Sequence, residues 1–255
     1  MFKKILQNFG FGNSKDFSTS GELWFITKVL SQIQGALSLD VGANKGDFSK
    51  ELLKYTDHYV VAVEPLQLLQ SELDDIELTH PNRFSFHLTA LSSFNGEMDI
   101  HLNAAQSGHS SLHENLNELH YVSNTSRVAV KVMTLETFLT PILIEHQSSL
   151  EFIKLDTEGS EYEIIKSSVD FLKLVNPSFI QVEFGQPNLV LGKSLLDFHR
   201  LLPEYLIYRL LPKSFIRVDP YDPISNIFLY SNYVFVNPKT LHRFNTFFPQ
   251  KSKFS

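Results

Sequence analysis

The stretch "ALSLDVGANKGDFSKELLKY", Ala36 to Tyr55, decides the fold. An apolar run closes on an acid, Asp40. A turn spaced by Gly42 and Gly46 follows, and then a pattern of helical period begins. Glycine takes positive φ and lets backbone come close, and asparagine, here Asn44, is the next best residue for a left-handed position. Residues 36–41 therefore predict a buried strand, 42–46 a tight turn, and 46–55 a helix. The helix N-terminus turns its amides and positive dipole end toward whatever the turn holds, and a carboxylate or a phosphate suits it equally.

Spacing separates the ligands. A dinucleotide turn needs G-x-G-x-x-G, whereas this one is G-x-N-x-G with Asp47 in the place of the third glycine. The G-K-[ST] of a phosphate loop is absent. Asp40 repels a pyrophosphate and welcomes an ammonium, so the preferred ligand carries both an amine and a carboxylate. "YVVAVEP" (59–65) reads as a second buried strand ending at Pro65, and Glu64 stands where an acid accepts hydrogen bonds from both ribose hydroxyls of a nucleoside. An amino-acid end plus a ribose end describes S-adenosylmethionine. The expected cofactor residues are Asp40, Gly42, Ala43, Asn44, Gly46, Glu64 and Pro65, with the adenine near Thr89, Ala90 and Leu91. Gly42 and Gly46 alone also describe an ordinary strand–helix turn; their register with Asp40 and Glu64 separates the two readings. Glu64 would serve the ribose of NAD as well, so an NAD-type oxidoreductase is the alternative enzyme. A non-catalytic binding module on the same fold is the alternative from another class.

Outward from this unit, strands alternate with helices. "FSFHLTAL" (84–91), "LEFIKLD" (150–156) and "SFIQVEF" (178–184) read as further core strands, with helices over 66–76, about 160–168 and 195–202. Apolar strands of this kind form a mostly parallel sheet covered on both faces. "YLIYRLL" (205–211) and "NYVFVNP" (232–238) follow without a long helix between them, so the last strand enters antiparallel. "EMDIHL" (97–102) and "RVAVKVMTL" (127–135) break the alternation, and residues 92–133 read as an insertion over the site. The expected organisation is an N-terminal helical extension over 1–35, one α/β domain over 36–240, and a tail over 241–255. In the extension Leu23, Ile26, Leu30 and Ile33 recur at helical spacing after Ser20, a candidate N-cap.

"FIKLDTEGSEYEII" carries the second cluster. Asp156 ends the fourth core strand, Glu158 follows in a turn that Gly159 permits, and Ser160 is placed to cap the next helix. Glu161 and Glu163 fall in that helix's first turn, where acids stabilise the dipole. Glu183 ends the fifth strand on the same rim, and His109 of "SGHSSL" lies in the insertion. Asp156, Glu158, Glu183 and His109 are the candidate catalytic residues, and Asp156 also a candidate for the ammonium of the cofactor. His87 and His101 sit inside strand patterns and read as structural. Three acids on one rim also suit a hard divalent cation.

"LDVGANKGDFS", "VVAVEP", "ALSSFNGEMDIHL", "VMTLETFL" and "FIKLDTEGSEYEII", in order over about residues 36–185, resemble the FkbM-type S-adenosylmethionine-dependent methyltransferases. The resemblance implies a Rossmann-like class I methyltransferase fold with a seven-stranded sheet, and O-methylation of a sugar or of a natural-product hydroxyl. It does not require a metal. Tyr121, Tyr205, Tyr208 and Tyr221 are candidates to stack on a sugar acceptor.

Composition bounds the alternatives. The 255 residues carry a formal net charge of −6 and no dense basic stripe, which argues against nucleic acid as the main partner. The absence of cysteine excludes thiolate metal sites, disulfides and a cysteine nucleophile. The expected partner is a small-molecule or saccharide acceptor. Gln7, Asn8 and Gly10 interrupt the N-terminal apolar run too early for a signal peptide, and no run approaches the ~20 apolar residues of a membrane span, so a cytoplasmic location is expected.

Overall fold

The apolar runs become neighbouring strands of one large sheet. A computed structural model describes residues 2–12, 16–103, 110–119, 124–244 and 246–248. Three short helices, α1 (Phe2–Asn8), α2 (Phe17–Ser20) and α3 (Glu22–Lys28), lead into strand β1 (Leu37–Val41). Helix α4 (Asp47–Tyr55), β2 (Tyr59–Val63), α5 (Gln70–Thr79) and β3 (Phe84–His87) follow. Then come β4 (Ala90–Leu91), β5 (Gly96–Asn103), β6 (Asn124–Met133), α6 (Leu135–His146) and β7 (Leu150–Leu155). The remainder is α7 (Glu161–Ser167), α8 (Val169–Val175), β8 (Phe179–Phe184), α9 (Gln186–Val190), α10 (Leu195–Leu201), β9 (Leu206–Leu211), β10 (Ser214–Arg217), β11 (Ser231–Val236) and α11 (Leu241–Phe244).

The large sheet has the order β10-β9-β11-β8-β7-β1-β2-β3. Neighbouring pairs from β8 to β3 are parallel, and β11 runs antiparallel to both β8 and β9. The expected seven strands with an antiparallel last strand are present. An eighth, β10, forms a hairpin with β9 at the edge; at four residues it is too short to carry a pattern. The expected strand over 84–91 is two strands. Phe84–His87 pairs with β2, while Ala90–Leu91 joins β6 and β5 in a separate three-stranded sheet built largely from the insertion. Thr89 makes the change of sheet, its hydroxyl donating to the Lys131 carbonyl at 2.9 Å.

Strand alternation sorts the core into two layers. Leu37, Leu39 and Val41 of β1 face α6, α7, α8 and α10. The opposite face, with Val60, Phe152, Phe179 and Val234, packs against α3, α4, α5 and α11. Phe25 of α3 is fully buried there, edge-on to Phe152, Phe179 and Phe215 at 5.4–5.7 Å. Burying such a ring contributes about 1.5–3 kcal/mol. At the other end of the chain Phe248 stacks on Phe215 at 4.4 Å. Phe25 of α3 and Phe248 near the other end of the chain thus share one core with the strands of residues 36–240.

On the α3/α4 face the strands turn polar toward their carboxyl ends. The alternation Phe152-Lys154 continues to Asp156, and Phe179-Gln181 continues to Glu183. Register sets Asp40 beside Lys154 and Lys154 beside Gln181, so a polar row crosses the middle of the sheet.

Candidate active site

The turn after β1 has the geometry its residues predict. Gly42, Asn44 and Gly46 all take positive φ, at 79°, 52° and 71°. Gly42 is required because a Cβ there would lie 1.8 Å from the Asp156 carbonyl oxygen. The β1 and β7 loops touch at this point, which leaves a cleft open above them. Gly46 serves packing instead, since a Cβ there would strike Ile76 at 2.3 Å.

A cleft of about 860 Å³ opens at the carboxyl ends of the parallel strands. It is lined by Gly42, Ala43, Asn44, Glu64, Pro65, Ala90, Leu91, Asp156, Glu158 and Glu183. Residues from five separate stretches of chain are thus brought together. Thr89 lines it too, and the insertion contributes Ile100, Ser110, Ser111 and Leu112.

Glu64 sits where β2 ends, 5% exposed. Its Oε2 accepts from the Asn44 N–H and its Oε1 from the Leu66 N–H, both at 2.9 Å. Burial pushes its pKa up to about 7, against the pull of those two donors. The carboxylate thus locks the glycine turn to the β2 end, and each oxygen keeps lone pairs for a further donor in the cleft.

Two expected cofactor residues do not line the cleft. Gly46 faces α5, as above. Asp40 is fully buried beneath the turn: Ser49 Oγ donates to its Oδ2 at 2.7 Å and Lys154 Nζ lies 3.9 Å from its Oδ1. Its place on the α4 face of β1 points it into the polar row, so direct contact with an ammonium in the cleft is closed to it. His109 lies outside the described residues, as does Tyr121. Tyr205 and Tyr208 are buried in the core, and the Tyr205 hydroxyl donates to the Pro177 carbonyl at 2.9 Å. Tyr221 is exposed and packs against His199 away from the cleft.

The acid end holds residues that the sequence reading passed over. Lys154 is buried and donates to Asp156 Oδ2 at 2.6 Å. Burial works to lower its pKa, but Asp156, Asp40 and Glu22 more than reverse this and hold it above the usual lysine value. Burial, then the Asp156 charge and a hydrogen bond with Asp156, raise Glu183 well above the carboxylate range. Tyr230 and Phe17 supply the aromatic wall that the other tyrosines do not. Burial and then Glu183 push the Tyr230 phenol well above its ordinary value.

The loop after β7 is clamped from both sides. Glu158 takes φ 51° and Gly159 φ 111°. Glu161 is buried and reaches back to accept from Thr157 N–H at 2.7 Å and Gly159 N–H at 3.1 Å, and burial raises its pKa to about 7. These two amides lie in the loop before α7 and not in the helix itself. Glu163 lies nearer the surface between Lys166 and Lys193. Ser160 stands at the N-cap of α7 but makes no capping bond; its hydroxyl pairs with His113 Nε2 at 3.2 Å. Ser111 Oγ donates to the Glu158 carbonyl at 2.7 Å, so the insertion holds this loop in place. Among the described residues no group of three or more His, Asp or Glu side chains is arranged to hold a metal ion.

A parallel sheet of this strand order, with an antiparallel strand near one edge and a cleft at the carboxyl ends, defines a Rossmann-like protein of the methyltransferase type. The sequence matches the methyltransferase FkbM domain over residues 40–210, and the chain belongs to that family. Among solved structures it is similar to the methyltransferase FkbM from Methylobacillus flagellatus, at 14% identity and a TM-score of 0.50. That match covers 92% of this chain and 57% of the other, so this chain spans little more than half of that relative. It also matches the precorrin-6y C5,15-methyltransferase from Geobacter metallireducens, at 11% identity and a TM-score of 0.41, over 91% of this chain and 96% of that one. No curated protein matches the chain. No helix among the described residues is long and apolar enough to cross a membrane.

Proposed function

We propose that the chain is an S-adenosylmethionine-dependent O-methyltransferase acting on a hydroxyl of a sugar or natural product. The observation that carries this reading is Glu64. It is a buried carboxylate bonded to the glycine turn on one side and open to the cleft on the other, where a ribose diol is its natural partner. The remaining surfaces suit the same ligand. Pro65, Leu66, Ala90 and Leu91 form an apolar slot for a flat base, and the Gly42–Asn44 backbone faces the amino-acid end.

When bound, S-adenosylmethionine supplies an activated methyl group on a sulfonium, so the protein's tasks are alignment and proton removal. Alignment alone is worth about 7–11 kcal/mol. Asp156 and Glu158 stand at the end of the central strand to orient an acceptor hydroxyl and take its proton. Glu183, whose hold on a proton is strengthened by burial and by Asp156, is better suited to donate a hydrogen bond there than to act as the base. Lys154 supplies positive charge behind the acids, which supports a metal-free site. Phe17 and Tyr230 offer ring faces to a sugar, and the net charge of −6 favours a small neutral acceptor over a nucleic acid.

Calorimetry with S-adenosylmethionine and with NAD tests the reading. Binding of the first and not the second supports it, and transfer of labelled methyl to a panel of hydroxylated acceptors then establishes turnover. Binding of NAD alone favours the oxidoreductase, and binding without transfer the non-catalytic module.

A further inference from the structure

Glu22, the first residue of α3, closes over the polar row of Asp40, Lys154 and Gln181. Gln181 Nε2 donates to its Oε1 at 2.8 Å across 159 positions of sequence, and Ser20 Oγ donates to its Oε2 at 2.8 Å. The side chain is 5% exposed, and what remains exposed borders the cleft. It precedes residue 40, where the family match begins.

We propose that Glu22 is a positioning residue for the sulfonium end of the cofactor, leaving the methyl end of the cleft with excess negative charge that favours a sulfonium over the neutral thioether that remains after transfer. The proposal rests on the S-adenosylmethionine reading above. One ammonium, Lys154, faces three carboxylates, Asp40, Asp156 and Glu22. Burial and the Asp156 charge push Glu183 well above the carboxylate range, so it adds least to the excess. Asp40 Oδ1 accepts no hydrogen bond, and the cation nearest it, Lys154 at 3.9 Å, is shared with Asp156. Buried excess charge is costly, and a cation arriving in the cleft offsets it. A thioether does not. The cluster that draws in the charged cofactor therefore weakens its hold on the spent one.

Calorimetry on the full-length protein with S-adenosylmethionine and S-adenosylhomocysteine at pH 8 tests this. That pH counters the upward push of burial on the Glu22 and Asp40 pKa values, which Lys154 partly offsets at both. Glu22→Gln keeps the shape and can keep both hydrogen bonds. A charge acting over roughly 10 Å at an effective dielectric of about 20 changes affinity about tenfold. The ratio of sulfonium to thioether affinity should therefore fall about tenfold, with thioether binding changed less than about twofold. Glu22→Ser is the second neutral variant if the first does not fold. Asp170→Asn removes a carboxylate from a fully exposed side chain and should leave the ratio unchanged. Equal loss of both ligands marks Glu22 as structural and overturns the proposal, and so does an unchanged ratio. A parent protein that binds neither ligand overturns the cofactor reading itself, and the proposal with it.

Discussion

Glu64→Gln separates the charge of this carboxylate from its shape. In the parent, one oxygen takes the Asn44 N–H and the other the Leu66 N–H, each at 2.9 Å, and the remaining lone pairs face the ribose site. Glutamine turns one oxygen into an NH₂ group, which meets a backbone donor and can no longer accept from a hydroxyl. The other bond loses its charge assistance. A charge-assisted hydrogen bond contributes about 1.5–3 kcal/mol, so the Kd for S-adenosylmethionine should rise about 10- to 150-fold. The pKa of about 7 adds a second readout. Ribose hydroxyls donate best to the ionised form, so parent affinity should climb from pH 6 to 8 and then level off. The variant, with nothing to ionise there, should lack that part of the climb. Calorimetry across this pH range measures both effects. Parent affinity in the variant, or the same pH profile in both proteins, would refute the assignment of Glu64 to the ribose.

Three other outcomes follow from the site. Gly42→Ala places a methyl 1.8 Å from the Asp156 carbonyl at φ 79°, and should cost at least about 3 kcal/mol or prevent folding; a melting temperature within a few degrees of the parent contradicts this. Burial raises both Glu64 and Glu161 from 4.5 to about 7. The folded state therefore holds these two protons more tightly than the unfolded chain, and their contribution to stability falls as pH rises from about 4.5 through 7, by up to about 3 kcal/mol each. Urea unfolding at pH 5 and pH 8 checks the sign, and Glu161→Gln should flatten the slope. Asp156→Asn and Glu158→Gln should each lower methyl transfer about 100-fold or more without unfolding the protein, and parent rates in both would move the proton-transfer site elsewhere.

The parallel core was legible because its strands are short apolar runs bounded by turns, and a strand buried on both faces needs no partner to be recognised. Gly42, Asn44 and Gly46 were legible because positive φ selects those residue types. Their purposes were not: Gly42 makes room for a carbonyl 114 positions away and Gly46 for α5, and spacing alone does not reveal what stands opposite. Its place before the turn predicts that Asp40 faces the ligand, but strand alternation turns it to the α4 face. The same alternation holds the missed signal. Phe152-x-Lys154-x-Asp156 and Phe179-x-Gln181-x-Glu183 keep one face of each strand, apolar at the start and polar at the carboxyl end. A lysine inside an apolar run reads as an exception until Asp40 and Glu22 are seen beside it. Tyr230 lies in a stretch without periodicity, so only the fold brings it to the site. Both halves of 84–91 are apolar and so predict one strand; the break at Thr89 exists because Ala90 and Leu91 pair with β6 instead of β2.

The most direct test of the account is a crystal structure of the protein with S-adenosylhomocysteine. The account predicts both ribose hydroxyls on the Glu64 carboxylate, the adenine between Pro65–Leu66 and Thr89–Leu91, and the sulfur directed at Asp156. A ligand seated elsewhere, or with its ribose away from Glu64, would contradict it.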